Sequence, residues 1–178
     1  APVVLSVAGG SHTTEPFTFD STISASEIWI RGEDTSELTP TWLVPSSNGT
    51  NATTSEAASG GGADSGGRRR LKAGSSLDST LLFTIASGAP PVFISGVRLL
   101  GRIVQQGSRL TLQDNATLDG VLVGDDASTA RPALEVTGGV VVLNGSSVVN
   151  FMGGGIDVNG GSTAAIVSLH HARITNNG

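Results

Sequence analysis

The sequence predicts an all-β fold: a parallel β-helix (solenoid) of short three-strand coils, interrupted by one long flexible insertion. Three observations carry that expectation. Leu134-Glu135-Val136-Thr137-Gly138-Gly139 returns as Ile156-Asp157-Val158-Asn159-Gly160-Gly161, a shift of 22 residues. A unit of that length with apolar residues alternating in twos cannot bury its own apolar face, so it must stack on a neighbour. A six-residue step recurs as well, from Leu112 to Leu118, from Val142 to Val148 and from Ser168 to Ile174. Finally, 25 Gly against 7 Pro suits many tight turns, apolar positions are mostly Val, Ile and Leu, and helix caps and a helical apolar period are both missing.

The elements follow in order along the chain. Val3 to Val7 alternates as a strand, and Ala8-Gly9-Gly10 ends it. Phe17-Thr18-Phe19, Ile28-Trp29-Ile30 and Trp42-Leu43-Val44 are the next short strands, so residues 1–45 read as N-terminal coils. From Ser46 to Ser76 the chain is Ser, Gly, Ala, Thr and Asn; such a segment buries too little apolar area to offset its ordering entropy and is expected to be a mobile insertion. Strand-like sequence resumes at Leu81-Leu82-Phe83-Thr84-Ile85 and continues through Val92-Phe93-Ile94, Val97-Arg98-Leu99 and Ile103-Val104. Residues 77–178 are therefore the regular coils of one domain spanning 1–178, with a polar insertion from Gly124 to Pro132 and an expected continuation of the repeat past Gly178. Equivalent residues should stack about 4.8 Å apart. The expected inward stacks are Leu134/Ile156, Val136/Val158, Leu112/Val142/Ser168 and Leu118/Val148/Ile174, with Val140 and Ile166 also inward. Asn150 and Asn176 coincide at a bend, where Asn tolerates a left-handed backbone and its amides bond from coil to coil.

Composition narrows the function classes. A net charge of −5 argues against a general nucleic-acid binder, and 4% aromatic residues with no Tyr supply few stacking platforms for bases or sugars. The sequence has no Cys, which excludes disulfides and thiolate metal sites. No apolar run approaches the roughly 18 residues of a membrane span. The start at Ala1 rather than Met is what signal-peptide removal would leave, and equally what a cut from a longer product would leave.

Several residues could carry chemistry. Glu135 and Asp157 share one outward position a coil apart, and stacked carboxylates at that spacing could hold Ca²⁺ or act as an acid/base pair. The plainer expectation is two solvated charges. Asp114, Asn144 and His170 are expected to form one exposed column, in which Asp114 and His170 could hold a metal given a third ligand. Asp125-Asp126 reads as a turn, and Arg173 beside His171 faces no acidic column. Four N-x-[ST] sequons, at Asn48, Asn51, Asn115 and Asn144, are placed where an oligosaccharide fits. Arg68-Arg69-Arg70 is a candidate processing site or a solvated charge run. No cofactor is expected.

Asn150-Phe-Met-Gly-Gly-Gly-Ile156 and Ile174-Thr-Asn-Asn-Gly178 resemble the GGA[ILV] and FxxN repeats of polymorphic outer-membrane-protein (Pmp-type) β-helices, within the pectin-lyase-like superfamily. Similar repeats occur in large secreted surface proteins of algae and protists. The resemblance covers Leu81 to Gly178, with Gly155 in place of the usual Ala and Ile174 where Phe is common. It implies a right-handed parallel β-helix and surface display or adhesion rather than catalysis.

The expectation is a non-enzymatic extracellular or cell-surface structural or adhesive module, one piece of a larger protein or assembly. Further coils or other protein chains would cover the C-terminal end of the stack, and extracellular glycans are candidate partners. The rival reading is a carbohydrate-active enzyme, lyase-like or hydrolase-like, or a glycan-binding module. It requires Glu135, Asp157 and a further charged group to line a groove.

Overall fold

The computed structural model describes residues 1–33, 41–45, 81–120, 131–161 and 163–178. Among them the chain forms 17 β-strands and no helix. The predicted insertion over residues 46–76, with Asn48, Asn51, Arg68, Arg69 and Arg70, lies outside the described residues, as do Asp125 and Asp126.

The strands fall into successive tiers of three. They are β1 (Val3–Val7), β2 (Gly10–Thr14) and β3 (Phe17–Phe19); β4 (Ile28–Gly32), β5 (Thr41–Pro45) and β6 (Leu81–Ile85); β7 (Val92–Ser95), β8 (Arg98–Leu99) and β9 (Arg102–Gln105). Then come β10 (Arg109–Gln113), β11 (Thr117–Asp119) and β12 (Leu134–Val136); β13 (Gly139–Asn144), β14 (Ser147–Val149) and β15 (Ile156–Val158); and a last, two-stranded tier of β16 (Ala165–His170) and β17 (Arg173–Thr175). The first strand of each tier joins sheet A (β1-β4-β7-β10-β13-β16), the second sheet B (β2-β5-β8-β11-β14-β17) and the third sheet C (β3-β6-β9-β12-β15). Each strand pairs in parallel with its counterpart three elements on. Sequence-adjacent strands therefore never pair. The chain visits three sheets in turn and adds one strand to each.

That topology turns the alternation of each strand into columns. In sheet A one buried column runs Ile28, Val92, Leu110, Val141, and the next runs Ile30, Ile94, Leu112, Leu143. Sheet B contributes Leu43, Leu99, Leu118 and Val148, and sheet C contributes Ile103 and Leu134 with Ile85 and Val136. All belong to one contiguous apolar cluster, which is why strands of only two to six residues persist. Within the sheet C column Gln105 stands between Ile85 and Val136, fully buried. Its amide nitrogen donates to the carbonyls of Gly107 and Ser108, while its Oε1 meets no donor among the described residues.

Much of the predicted register holds: Leu134 pairs with Ile156, Val136 with Val158, Leu118 with Val148, and Val148 with Ile174. The stack Leu112/Val142/Ser168 does not form. Leu112 pairs with Leu143 and that with Leu169, while Thr111, Val142 and Ser168 form the neighbouring column. Val140 and Ile166 do pair, but they face away from the core, which takes Val141 and Val167 instead. The cause is one residue at the corner between sheets A and B. Gly96, Gly145 and His171 each turn that corner as a single residue with positive φ (64°, 61° and 52°), whereas β10 is followed by two, Asp114 and Asn115 (50° and 65°). The six-residue step is thus peculiar to the tier of Leu112 and Leu118; from Leu143 to Val148 and from Leu169 to Ile174 it is five. Carrying six forward slides a strand by one residue, which turns every side chain to the opposite face.

The strand β2 is absent from the sequence reading, because Gly10-Ser11-His12-Thr13-Thr14 carries no apolar alternation. It exists as the partner of β5, to which it pairs from Gly10↔Thr41 to Thr14↔Pro45.

Candidate functional site

The charged residues are placed by one rule used twice. Arg98 of β8 lies opposite Thr117, and Asp119 is the residue two further along β11. Arg102 precedes Ile103 of β9, which lies opposite Leu134, so Glu135 is likewise diagonal to it. Diagonal neighbours on one face of a sheet are within reach of a long side chain. The Arg98 guanidinium accordingly donates to Asp119 Oδ2 from both Nε, at 2.9 Å, and Nη2. Arg102 Nη2 donates to Glu135 Oε2 at 2.6 Å and Nε to the carbonyl of Pro132 at 3.3 Å. In each case an Arg of one tier clamps an acid of the next.

Asp119 is the more enclosed of the two acids. Its side chain is 0% exposed, against 31% for Glu135. Its second oxygen accepts from Asn150 Nδ2 at 2.9 Å, and Asn150 Oδ1 in turn accepts from Asn176 Nδ2 at 3.4 Å. The expected coincidence of Asn150 and Asn176 at a bend is therefore present, both with positive φ (64° and 56°), and it extends into a ladder over three tiers. A buried carboxylate needs such compensation, since an unpaired buried charge costs several kcal/mol. Asn177 adds a further link, donating from Nδ2 to the Val148 carbonyl and accepting from the Phe151 amide, each at 3.0 Å.

Glu135 and Asp157 do stand opposite one another on paired strands, as the repeat predicts. Like charges so placed repel, and Arg102, whose side chain is only 6% exposed, neutralises the first while the second faces solvent. The arrangement makes a cross-tier strut rather than two equivalent acids. The expected column of Asp114, Asn144 and His170 is not formed. Gln113, Asn144 and His170 share a column, and Asp114 takes the corner position that Gly145 and His171 occupy in later tiers, displaced by the same extra residue. Among the described residues no group of three or more His, Asp or Glu stands close enough to hold a metal ion. Asn115 and Asn144 are both exposed at the A–B corner, and the Asn115 amide donates to the Gly145 carbonyl at 2.9 Å, so these two sequons sit one tier apart.

The outer face of sheet A carries an aromatic pair that composition alone did not single out. Trp29 and Phe93 are register partners and stack with centroids 4.3 Å apart and planes within 10°. The Arg31 guanidinium lies 4.4 Å from the Trp29 ring centre, and Trp29 Nε1 donates to Glu27 Oε2 at 3.0 Å. The rings thus lie against protein groups rather than standing free as a sugar platform.

Comparison of the chain with protein-family models, with curated proteins and with solved structures finds no match.

Asp119, Arg98 and Arg102 were not among the sequence candidates. The signal that would have found them is an Arg aligned two positions before an acid of the following tier. It becomes readable once Leu99 is aligned on Leu118 and Ile103 on Leu134.

Proposed function

We propose that this chain is a non-enzymatic structural and adhesive module of the cell surface or extracellular space, its three sheets wound as a right-handed parallel β-helix of the Pmp type. The observation that carries the reading is the engagement of its acids. Asp119 is buried between Arg98 and Asn150, and Glu135, one member of the expected acid/base pair, is tied to Arg102, so these two carboxylates serve as links from tier to tier. Rigid stacked tiers of this kind present long, regular faces, which suits display or adhesion within a larger protein or assembly. The exposed Asn115 and Asn144 support glycosylation in a secretory compartment.

The test is a product assay on uronate polymers, pectin and alginate, with the purified chain, alongside localisation of a tagged copy in its native cell. No unsaturated or reducing ends and a tag retained at the surface are the expected results. Cleavage that disappears in Glu135→Gln would replace this reading with the carbohydrate-active one.

A further inference from the structure

Asn is followed directly by Gly at Asn48, Asn144, Asn159 and Asn177, and the last three of these steps lie among the described residues. We propose that Asn159 is a site of spontaneous covalent modification, deamidation to aspartate and isoaspartate, from which the fold protects Asn144 and Asn177.

The reaction sets the geometric requirements. The backbone nitrogen of the residue after the Asn gives its proton to solvent base and attacks the Asn Cγ. A C–N bond forms, the Cγ–Nδ2 bond breaks, and the leaving nitrogen takes a proton from water and departs as ammonia. One water then opens the cyclic succinimide at either carbonyl, leaving aspartate or isoaspartate. Asn and water thus become Asp or isoAsp and ammonia, with no change of oxidation state. A Gly in second place offers no Cβ to hinder the approach. Beyond that, the carboxamide must be free to turn and the following N–H free of a hydrogen bond.

Asn159 meets these conditions. It is exposed, its side chain makes no hydrogen bond among the described residues, and neither does the Gly160 N–H. The step is held at both ends: the Asn159 N–H donates to the Val136 carbonyl at 2.9 Å, and the Gly160 carbonyl accepts from the Thr163 N–H at 2.7 Å. Packing imposes the Gly, because a Cβ at Gly160 would lie 2.7 Å from the Thr163 carbonyl oxygen. It does not impose the Asn. The preceding tier sets Thr137-Gly138 at the same corner, with the Thr137 N–H donating to the Gln105 carbonyl at 2.8 Å, and so makes the turn without a carboxamide.

The other two steps are closed. The Gly145 N–H donates to the His170 carbonyl and the Gly145 carbonyl accepts from the Asn115 N–H, each at 2.9 Å, so the attacking nitrogen is engaged although Asn144 is exposed. The Gly178 N–H donates to the Phe151 carbonyl at 2.8 Å. The Asn177 carboxamide is also fixed, by its bonds to the Val148 carbonyl and the Phe151 N–H. Conversion at Asn159 places a new carboxylate two residues from the exposed Asp157, and isoaspartate adds a carbon to the backbone in the turn between β15 and β16.

The experiment ages the full chain, made in a bacterial host so that Asn144 stays unglycosylated, in mildly alkaline water labelled with heavy oxygen. Peptide mass spectrometry then counts label at each Asn, and separation of the aspartate and isoaspartate peptides reports passage through the succinimide. In the folded chain Asn159 is expected to convert at least about fivefold faster than Asn144 or Asn177, the factor imposed by first opening one hydrogen bond. In concentrated urea the three rates should converge. Asn159→Thr, the residue of the preceding tier, should lose the product and keep the β-sheet circular dichroism. Folded-state conversion at Asn144 or Asn177 as fast as at Asn159 overturns the proposal. So does a lead of Asn159 that persists unchanged in urea, which would assign it to neighbouring sequence, or an Asn159 that converts only in urea.

Discussion

Leu143 and Leu169 are register partners in one column of sheet A, one strand apart, yet Leu143 is fully buried and Leu169 is 51% exposed. The residue type, column, sheet and facing direction are the same. What differs is that β13 is paired on both sides and β16 on one among the described strands. Burial in this fold is set by a residue's place along the stack rather than by its own strand, because each strand supplies only part of the enclosure of its neighbours. Fully burying such a side chain is worth about 1.5–3 kcal/mol, so the middle tiers hold the stability that the ends leave unrealised.

That contrast predicts its own largest effect. Leu143→Ala should cost about 2–5 kcal/mol in denaturant unfolding, the range for truncating an enclosed Leu, and Leu169→Ala no more than about 1 kcal/mol in the monomer. Equal losses at the two positions would show that the β16 end is covered in solution. Asp119→Ala comes next. Removing one partner of a buried pair costs about 3–5 kcal/mol, but the Arg98 side chain is 38% exposed and regains water, so about 2–3 kcal/mol is expected. Glu135→Ala, at a strut 31% exposed, should cost less than about 1 kcal/mol. A smaller contrast separates two glycines. A Cβ at Gly120 would collide with the Asn150 carbonyl, for which about 1–3 kcal/mol of crowding is expected. At Gly145 the same Cβ meets open space, leaving about 1–2 kcal/mol from its left-handed backbone (φ 61°).

The smallest effect belongs to the first tier. The Thr22 hydroxyl, and after it the Thr22 amide, hold the Asp20 carboxyl below the usual carboxylate range. A carboxylate depressed on folding contributes stability above its unfolded pKa and loses it as the pH falls through the folded value. Thr22→Val should therefore raise the Asp20 titration midpoint, measured by NMR, with little change in stability at neutral pH. A midpoint that stays put would assign the depression to the Thr22 amide alone.

The repeat was legible where it was self-consistent. The 22-residue echo fixed the pairing of Leu134 with Ile156 and of Val136 with Val158, and the Asn150–Asn176 bend followed from spacing alone. Legibility failed where a step measured in one tier was carried to the next, since period-two alternation punishes an error of one residue by reversing both faces. Val140-Val141-Val142 illustrates the difficulty: three identical β-branched residues in a row give no hint of which one faces the core. Strand β2 was hidden for another reason. At the end of a stack a strand is held by its ladder to the next tier, and an apolar pattern is not required for that. The candidate site inherited the register error, so Asp114 was set beside His170; the Arg98–Asp119 clamp went unseen because the strand of Leu99 was not aligned on that of Leu118.

The doubled corner at Asp114 and Asn115 has a consequence for how such a chain changes over time. One tier there carries a residue more than its neighbours, yet β10 and β11 pair with the strands on both sides without a bulge. Length at that corner is decoupled from alignment in the sheets. It is a position where segments can be gained, lost or grafted while the stack keeps count, and two of the sequons sit beside it.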